Sequence, residues 1–292
     1  MNQNLTLGTV QFGLNYGVSN KSGKVTQAEA ESILDFAYLN GITELDTAVA
    51  YGDSETVLGG LANGRFLIST KLPKLSSDNL SNIRDWTKSQ IESSLEKLKV
   101  NQIDTLFLHD VSILYSPVAS ELYEVVENFK TKGHIKKFGL SIYSYHELDK
   151  IPVEFKYNRI QCPINVFDLS LKVSGWMEKL REMEVEIQAR SIFLQGVLLM
   201  EKNSRPTYFS KWKDLFQKWD DFLNKNQISP AFACILFIKS LEEVSNVVFG
   251  VETQVQLKEI LSLFKETRDL KFSSNFESSD ENLIYPYRWQ LQ

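Results

Sequence analysis

The 292-residue sequence predicts an α/β protein whose single domain, residues 1–292, is a closed (β/α)8 TIM barrel. Short apolar segments alternate with amphipathic helical segments along the chain, and this alternation is typical of βαβ units with a parallel sheet. Eight such units follow one another without a linker or a break in composition. An uninterrupted run of eight favours a closed barrel over an open doubly wound sheet.

The eight predicted strands are short runs of apolar residues bounded by polar or turn-forming residues. In the helical segments between them, apolar residues recur at i, i+3 and i+4, which is typical of helices packed on a core. In the first helix, Thr26 and Glu29 predict a capping box and Asn40-Gly41 predicts the end. The predicted strands cover residues 5–9, 42–46, 66–70, 103–108, 135–141, 159–162, 185–190 and 244–249.

The last segment, residues 272–292, differs from the repeating units. A polar stretch leads into Tyr285-Pro286-Tyr287-Arg288-Trp289, which has neither a helical nor a strand period. Because so many aromatic side chains are costly to expose, we expect this C-terminal tail to fold back near the barrel mouth. A frayed terminus is the alternative interpretation.

Composition argues against several classes of function. The formal net charge of −5, without a basic stripe, argues against nucleic-acid binding. No segment resembles a signal peptide or a membrane span, so we expect a cytoplasmic protein with no membrane partner. Cys162 and Cys234 lie in predicted core segments without metal-type spacing, so we expect buried thiols and no metal. The expected partner is a small molecule, and the oligomeric state is left open.

Four polar residues stand at the ends of neighbouring predicted strands. Asp46 ends the second strand, Tyr51 lies in the loop after it, Lys71 ends the third and His109 ends the fourth. The carboxyl ends of barrel strands converge on the face that holds the site. Each residue alone has a structural explanation, such as a turn cap or a satisfied core histidine. Together they suit proton transfer to a carbonyl oxygen.

The segment DTAVAYGDSE, residues 46–55, resembles the D-T-A-x-x-Y-G-x-S-E signature of the aldo/keto reductase superfamily, here a bacterial member. Lys71 and His109 match the remaining positions of the family's catalytic tetrad. Residues 7–13 resemble its first strand, and the similarity extends through Gly250 and the last helix. The family's amino-terminal hairpin has no counterpart, because the first predicted strand begins almost at once.

The resemblance implies an oxidoreductase that reduces an aldehyde or ketone with NAD(P)H. Tyr51 would be the general acid, and Lys71, held by Asp46, would stabilise its phenolate. His109 would orient the carbonyl and share proton delivery at low pH. Two other functions stay open: a cofactor-sensing regulatory protein with the same fold, and a Schiff-base lyase that uses Lys71.

The resemblance also implies a cofactor site, with two kinds of departure. Ile142 replaces the family's asparagine, and Arg190 replaces the aromatic residue that stacks on the nicotinamide, although a guanidinium plane can also stack. Gln256 replaces an arginine that pairs with the 2′-phosphate, and Glu252 adds negative charge that opposes this phosphate. The family resemblance nevertheless implies NADP, with NAD as the alternative. The implied cofactor contacts are Gly8, Thr9, Asp46, Ser141, Gln161, Arg190, Ser191, Gln195, Gly196, Gly250, Thr253, Gln256 and Glu259.

Aromatic residues after strands one and five and in the tail are the candidates for contact with the substrate. They are Phe12, Tyr16, Tyr143, Tyr287 and Trp289. Packing on the protein surface explains each of them equally well. The related short bacterial members suggest a sugar-like or other polar carbonyl compound as the substrate.

Overall fold

The computed structural model describes residues 3–20, 22–272 and 276–291. Eight parallel strands pair in chain order and the eighth pairs with the first, so the sheet closes into a barrel. The predicted single-domain (β/α)8 barrel is therefore confirmed. The strands are β1 (Asn4–Gly8), β2 (Glu44–Asp46), β3 (Leu67–Leu72), β4 (Ile103–Leu108), β5 (Ile135–Ser141), β6 (Arg159–Pro163), β7 (Glu186–Arg190) and β8 (Val244–Gly250).

The helices surround the barrel, and two of the connections between strands are irregular. Between β5 and β6 the chain forms only a 3-10 segment, Tyr145–Lys150, closed at its start by a capping box of Ser144 and Glu147. Two helices instead of one connect β7 to β8. The longer helices are α1 (Gln27–Leu39), α2 (Ser54–Leu61), α3 (Ile83–Leu98), α4 (Ala119–Thr131), α5 (Trp176–Glu182), α6 (Lys213–Asn226), α7 (Pro230–Lys239) and α8 (Gln254–Lys265).

The predicted strand boundaries agree with the structure to within two residues. Residues 103–108 and 135–141 match β4 and β5, whereas β2 starts at Glu44 and β3 continues to Leu72. Lys71 is therefore the last residue but one of its strand, rather than the residue after it.

The first and last units are joined at a seam where β1 lies beside β8, with Leu5 opposite Val247.

The predicted capping box of α1 is only half correct. Thr26 Oγ1 accepts the backbone N–H of Glu29, but the Glu29 carboxylate accepts the N–H of Gln254 at 2.6 Å. Since the first N–H groups of a helix lack partners within it, the start of the neighbouring α8 attracts this carboxylate.

A buried ion-pair network fills the amino-terminal end of the barrel. Arg159, the first residue of β6, is 2% exposed. Its Nη1 lies 3.0 Å from Glu44 Oε2 and 3.9 Å from Asp104 Oδ2, and its Nη2 lies 2.6 Å from Glu186 Oε2. One guanidinium thus joins carboxylates from β2, β4 and β7 at the end opposite the strands' carboxyl termini.

The described part of the tail packs on the barrel. Leu283, Ile284 and Tyr285 are buried, and the Tyr287 ring lies 4.7 Å from the ring of Tyr143 between centroids. Glu281–Ile284 forms a helical turn that the sequence pattern did not indicate. Residues 273–275 and 292 of the predicted tail lie outside the described residues.

The two cysteines are buried and unpaired in the structure. Burial raises the pKa of the Cys162 thiol to about 12, which makes the thiolate scarce at neutral pH. Within the described ranges, no helix combines the length and apolar character needed to cross a lipid bilayer.

Replacing Arg159 by leucine should lower the free energy of unfolding by about 3–5 kcal/mol, because it leaves three carboxylates near the barrel axis without their shared cation. Urea unfolding followed by circular dichroism measures this change. Arg181→Gln is the matched control, since the Arg181 side chain is 63% exposed and pairs with Glu178 on the surface of α5. We expect the control to change stability by less than about 0.5 kcal/mol; equal losses for both variants would contradict a structural role of the network.

Candidate active site

A cavity of about 550 Å³ opens at the carboxyl ends of the strands. This volume lies within the range of sites that bind small molecules and cofactors. Asp46, Tyr51 and His109 lie on its wall, and Lys71 lies behind them. The other residues predicted from the sequence that line it are Gly8, Thr9, Tyr16, Ser141, Tyr143, Gln161, Arg190, Ser191, Gln195, Gly196, Gly250, Gln256 and Glu259.

Two of the predicted residues do not line the cavity because of local helical structure. The chain after β1 forms a helical turn, Val10–Gly13, that directs Phe12 into the core, where it is 1% exposed. This position contradicts the expected substrate contact. The Thr253 side chain accepts the N–H of Gln256 and caps α8 instead of lining the cavity.

The two tail aromatics predicted to face the substrate lie outside the cavity wall. Tyr287 is exposed and contacts Tyr143. Trp289 packs edge-on against Phe209, and its indole N–H donates to the carbonyl of Leu283 at 3.0 Å. The described tail residues do not line the cavity, and Tyr287 contacts the lining residue Tyr143.

A buried ion pair forms the floor of the site. Lys71 Nζ lies 2.6 Å from Asp46 Oδ2, with side chains 1% and 5% exposed, and also donates to the carbonyl of Thr47 at 2.9 Å. Asp46 Oδ1 accepts from Gln161 Nε2 at 2.6 Å. Gln161 Nε2 also donates to Gln188 Oε1 at 2.9 Å. Both carboxylate oxygens are thus fixed by partners from different strands.

Tyr51 stands between this ion pair and His109. Lys71 Nζ lies 4.9 Å from the centroid of the Tyr51 ring, and the rings of Tyr51 and His109 meet edge-on at 6.1 Å. Burial raises the pKa of Tyr51, and the Asp46 carboxylate raises it further, while Arg190 opposes the shift. The sequence predicts that the Lys71 ammonium would stabilise the phenolate and so lower the pKa of Tyr51. The opposite shift arises because the cost of burying the phenolate outweighs the effect of an ammonium whose charge Asp46 already neutralises. Tyr51 therefore keeps its proton at neutral pH.

The imidazole of His109 is neutral in this environment. Burial, together with the nearby cations Lys71 and Arg190, lowers its pKa to about 4. A neutral imidazole donates a hydrogen bond from one ring nitrogen and accepts at the other. His109 can therefore deliver a proton, as expected from the sequence at low pH, only at pH values near 4 and below.

The loop that carries Tyr51 is held by buried hydroxyl groups. Thr47 Oγ1 donates to Ser54 Oγ at 2.9 Å, and Ser54 Oγ lies 2.9 Å from the carbonyl of Thr9. Glu55 Oε1 accepts from Thr70 Oγ1 at 2.7 Å. These contacts give a structural reason for the threonine, serine and glutamate of the 46–55 signature: they anchor the loop to β1 and β3.

Two glycines let the turn after β1 pack directly on Tyr51. A Cβ on Gly13 would overlap the carbonyl of Tyr51, and a Cβ on Gly52 would approach the carbonyl of Gly13 to 2.6 Å. Gly52 also has a φ of +59°, which favours glycine. The backbone of Tyr51 is thus held by close approach as well as by hydrogen bonds.

The loop after β7 has strained backbone where it lines the cavity. Ser191, Leu194 and Gln195 all have left-handed φ values, of 56°, 48° and 52°. Such conformations cost energy in residues with side chains and concentrate at functional sites. The loop after β1 lies against this segment, since Val18 donates to the carbonyl of Gln195 and Gln195 Nε2 donates to the Tyr16 hydroxyl, each at 3.1 Å.

Sequence reasoning missed several wall residues. Most are apolar, and an apolar residue that lines a cavity has no sequence signal to separate it from one in the core. Gln11 is different: its Oε1 is buried without a hydrogen-bond partner in the described part of the chain. The missed residues are Val10, Gln11, Gly17, Ser19, Ile192, Phe193, Leu199, Ala231, Val248, Phe249, Val251, Ile260 and Leu263.

The fold and site define a class of barrel proteins that carry a tyrosine, a lysine, an aspartate and a histidine at neighbouring strand ends. The chain belongs to the aldo/keto reductase family, whose family model, described as "Aldo/keto reductase family", matches residues 4–280.

Relatives and solved structures agree with this assignment. The chain is 32% identical to D-arabinose 1-dehydrogenase of Saccharomyces cerevisiae over 39% of its length, and 33% identical to human aflatoxin B1 aldehyde reductase member 2 over 47%. The matches span 36% and 39% of those relatives. In structure it resembles an aldo-keto reductase from Bacillus halodurans in its holo form, with a TM-score of 0.70, 19% identity, and 91% and 88% of the two chains covered. A glycerol dehydrogenase from Gluconobacter oxydans gives a TM-score of 0.69 at 18% identity, with 91% and 87% covered.

The neutral state of His109 is testable without any ligand. In a pH titration followed by NMR of the imidazole carbons, the His109 signal should stay in its neutral position down to about pH 5 and titrate near pH 4. His109→Gln identifies the signal by its loss. A midpoint near the ordinary histidine value of about 6.5 would contradict the burial argument.

Proposed function

We propose that this protein is an NAD(P)H-dependent oxidoreductase that reduces an aldehyde or ketone to the alcohol, with Tyr51 as the general acid. The observation that carries the proposal is the placement of a protonated, buried phenol beside a neutral imidazole on the wall of a ligand-sized cavity. A buried ammonium lies directly behind that phenol. A small-molecule carbonyl substrate of sugar-like or other polar character, and a cytoplasmic location, are part of the proposal.

The residues of the wall fit a nicotinamide dinucleotide. Since Gln161 uses its Nε2 for Asp46 and Gln188, its Oε1 is left to accept from the carboxamide, next to the Ser141 hydroxyl. A Cβ on Gly250 would collide with the side chain of Gln11, whose Oε1 is the buried acceptor without a partner in the described residues.

The loop after β7 fits the cofactor's pyrophosphate. Its strained backbone and the Ser191 hydroxyl line the cavity, and Gly196 leaves room there for the Ser19 side chain. The bound cofactor would supply the hydride at this end of the barrel.

The protein's own groups would complete the reduction by a single proton transfer. Neutral His109 would hydrogen-bond the carbonyl oxygen and hold it near the Tyr51 hydroxyl. Tyr51 would release its proton to that oxygen as negative charge develops on it. The Lys71 ammonium, kept in place by Asp46, would then stabilise the phenolate, and solvent would return the proton.

The geometry disfavours the lyase alternative. Schiff-base formation requires a free amine that meets the substrate carbonyl. Lys71 is not among the cavity-lining residues, and its Nζ donates to Asp46 and to the Thr47 carbonyl. The regulatory alternative differs from the proposal only in turnover, and the complete catalytic cluster argues for turnover.

Tyr51→Phe should lower kcat by about 10²–10⁴, because it removes one general acid and keeps the ring. NADH and NADPH binding, followed by nucleotide fluorescence, should change little. Tyr38→Phe is the matched control, since Tyr38 is exposed on α1 and is not among the residues that line the cavity. Equal turnover of the Tyr51 variant and the wild type would rule out the role. Cofactor binding without turnover of any carbonyl would favour the regulatory alternative.

The charge of the cavity near α8 supports NAD over the NADP that the resemblance implies. Glu252 and Glu259 line this end, and Arg190 on β7 is the only lysine or arginine on the described wall. Gln256 Oε1 accepts the N–H of Glu252 at 2.7 Å, which fixes the loop that carries this carboxylate. A 2′-phosphate would meet negative charge there without a cation.

Side-by-side fluorescence titrations should therefore give a Kd for NADH at least about tenfold below that for NADPH, equal to about 1.4 kcal/mol. Glu252→Gln should reduce the difference between the two Kd values, because it removes one charge that repels the 2′-phosphate. Glu242→Gln is the control, since Glu242 is exposed, and it should leave this difference unchanged. Tighter binding of NADPH by the wild type would overturn the preference, and a Kd above about 1 mM for both cofactors would undermine the proposed function itself.

A further inference from the structure

The guanidinium of Arg190 is a cation on the cavity wall with few partners. Its plane lies over the Tyr143 ring, 4.3 Å from the centroid. Its Nη2 donates to the carbonyl of Ile142 at 3.1 Å, and its Nη1 donates weakly to Ser191 Oγ at 3.3 Å. A guanidinium has five N–H donors, so this one retains donors for a ligand.

No carboxylate of the described residues comes within 4 Å of this guanidinium. Asp168 is a buried carboxyl, but it forms no ion pair with Arg190 within 4 Å. Its Oδ1 accepts from the backbone and hydroxyl of Ser170. The cation on the cavity wall thus lacks a paired anion, and an anionic ligand could supply one.

Arg190 belongs to the catalytic end of the cavity. It is the last residue of β7, pairs in register with Pro163 of β6 and donates to the residue that follows β5. Its charge acts on Tyr16, Tyr51 and His109. Glu259 and Glu252, by contrast, belong to α8 and to the loop between β8 and α8.

We infer that Arg190 binds an anionic group of the carbonyl substrate, a carboxylate or a phosphate, while the carbonyl oxygen meets Tyr51 and His109. The inference rests on the proposed function and names its substrate class. A planar guanidinium pairs with either group through two parallel hydrogen bonds, and the Tyr143 ring lies against the Cζ of this one.

Matched substrates test the inference. D-glucuronate and D-glucose differ by a carboxylate, and glyceraldehyde 3-phosphate and glyceraldehyde differ by a phosphate. With saturating cofactor, the wild type should prefer the anionic member of at least one pair by about 10- to 100-fold in kcat/KM, as expected for a charged hydrogen-bonded contact. The pair that shows the preference identifies the anion. No preference in either pair would overturn the inference.

Variants of Arg190 assign the preference to this side chain. Arg190→Gln should reduce the anionic-to-neutral ratio to about 1, and Arg190→Lys should restore part of it, since lysine keeps the charge but loses the paired geometry. Arg181→Gln, which removes an exposed arginine from α5, should leave the ratio unchanged. If the anionic-to-neutral ratio survives in Arg190→Gln, the guanidinium does not bind the substrate anion and the inference fails. If the variant only weakens NADH binding, the guanidinium serves the cofactor pyrophosphate instead.

A binding measurement separates this inference from the proposed function. Calorimetric titration with glycerate, glycerol 3-phosphate and glycerol needs no turnover. If the wild type shows heat of binding for an anionic ligand and Arg190→Gln abolishes that heat, the anion site is supported. This conclusion holds even if no carbonyl compound is reduced, and in that case only the proposed function fails. Turnover of neutral carbonyls without any anion effect would leave the proposed function standing and remove the inference.

Discussion

The site depends on one buried carboxylate. Asp46 holds the Lys71 ammonium on one oxygen and the Gln161 amide on the other, so a single side chain joins β2, β3 and β6 under the cavity. Either charge alone would be expensive away from water, and the pair is stable because each group satisfies the other. Tyr51 lies above the ammonium, and Gln161 is oriented by the carboxylate. Both the acid and the proposed carboxamide contact therefore derive their positions from Asp46.

Burial sets the protonation states that the proposed chemistry needs. The same loss of hydration raises the pKa of Tyr51 and lowers that of His109, because in each case it disfavours the charged form. The result is a phenol that keeps its proton and an imidazole that stays neutral. Arg190 then contributes the positive charge on the open wall, whereas Lys71 is enclosed by its partners.

Much of the fold and of the candidate catalytic cluster follows from the sequence because the signals are local. Strand length and a short run of polar residues at strand ends are enough to identify Asp46, Tyr51, Lys71 and His109. The errors arise where distant groups decide the outcome. Glu29, for example, caps a helix 225 residues away. The pKa of Tyr51 depends on how deeply the whole barrel encloses it, which no spacing of residues encodes.

The seam between β1 and β8 also constrains how the chain reaches its native state. Leu5 and Val247 are neighbours in the sheet although almost the whole polypeptide separates them. During synthesis, the edge of β1 that faces β8 has no partner until the final strand emerges, and an unpaired parallel edge invites association between chains. Ring closure is thus a late, non-local step that is slow by its topology.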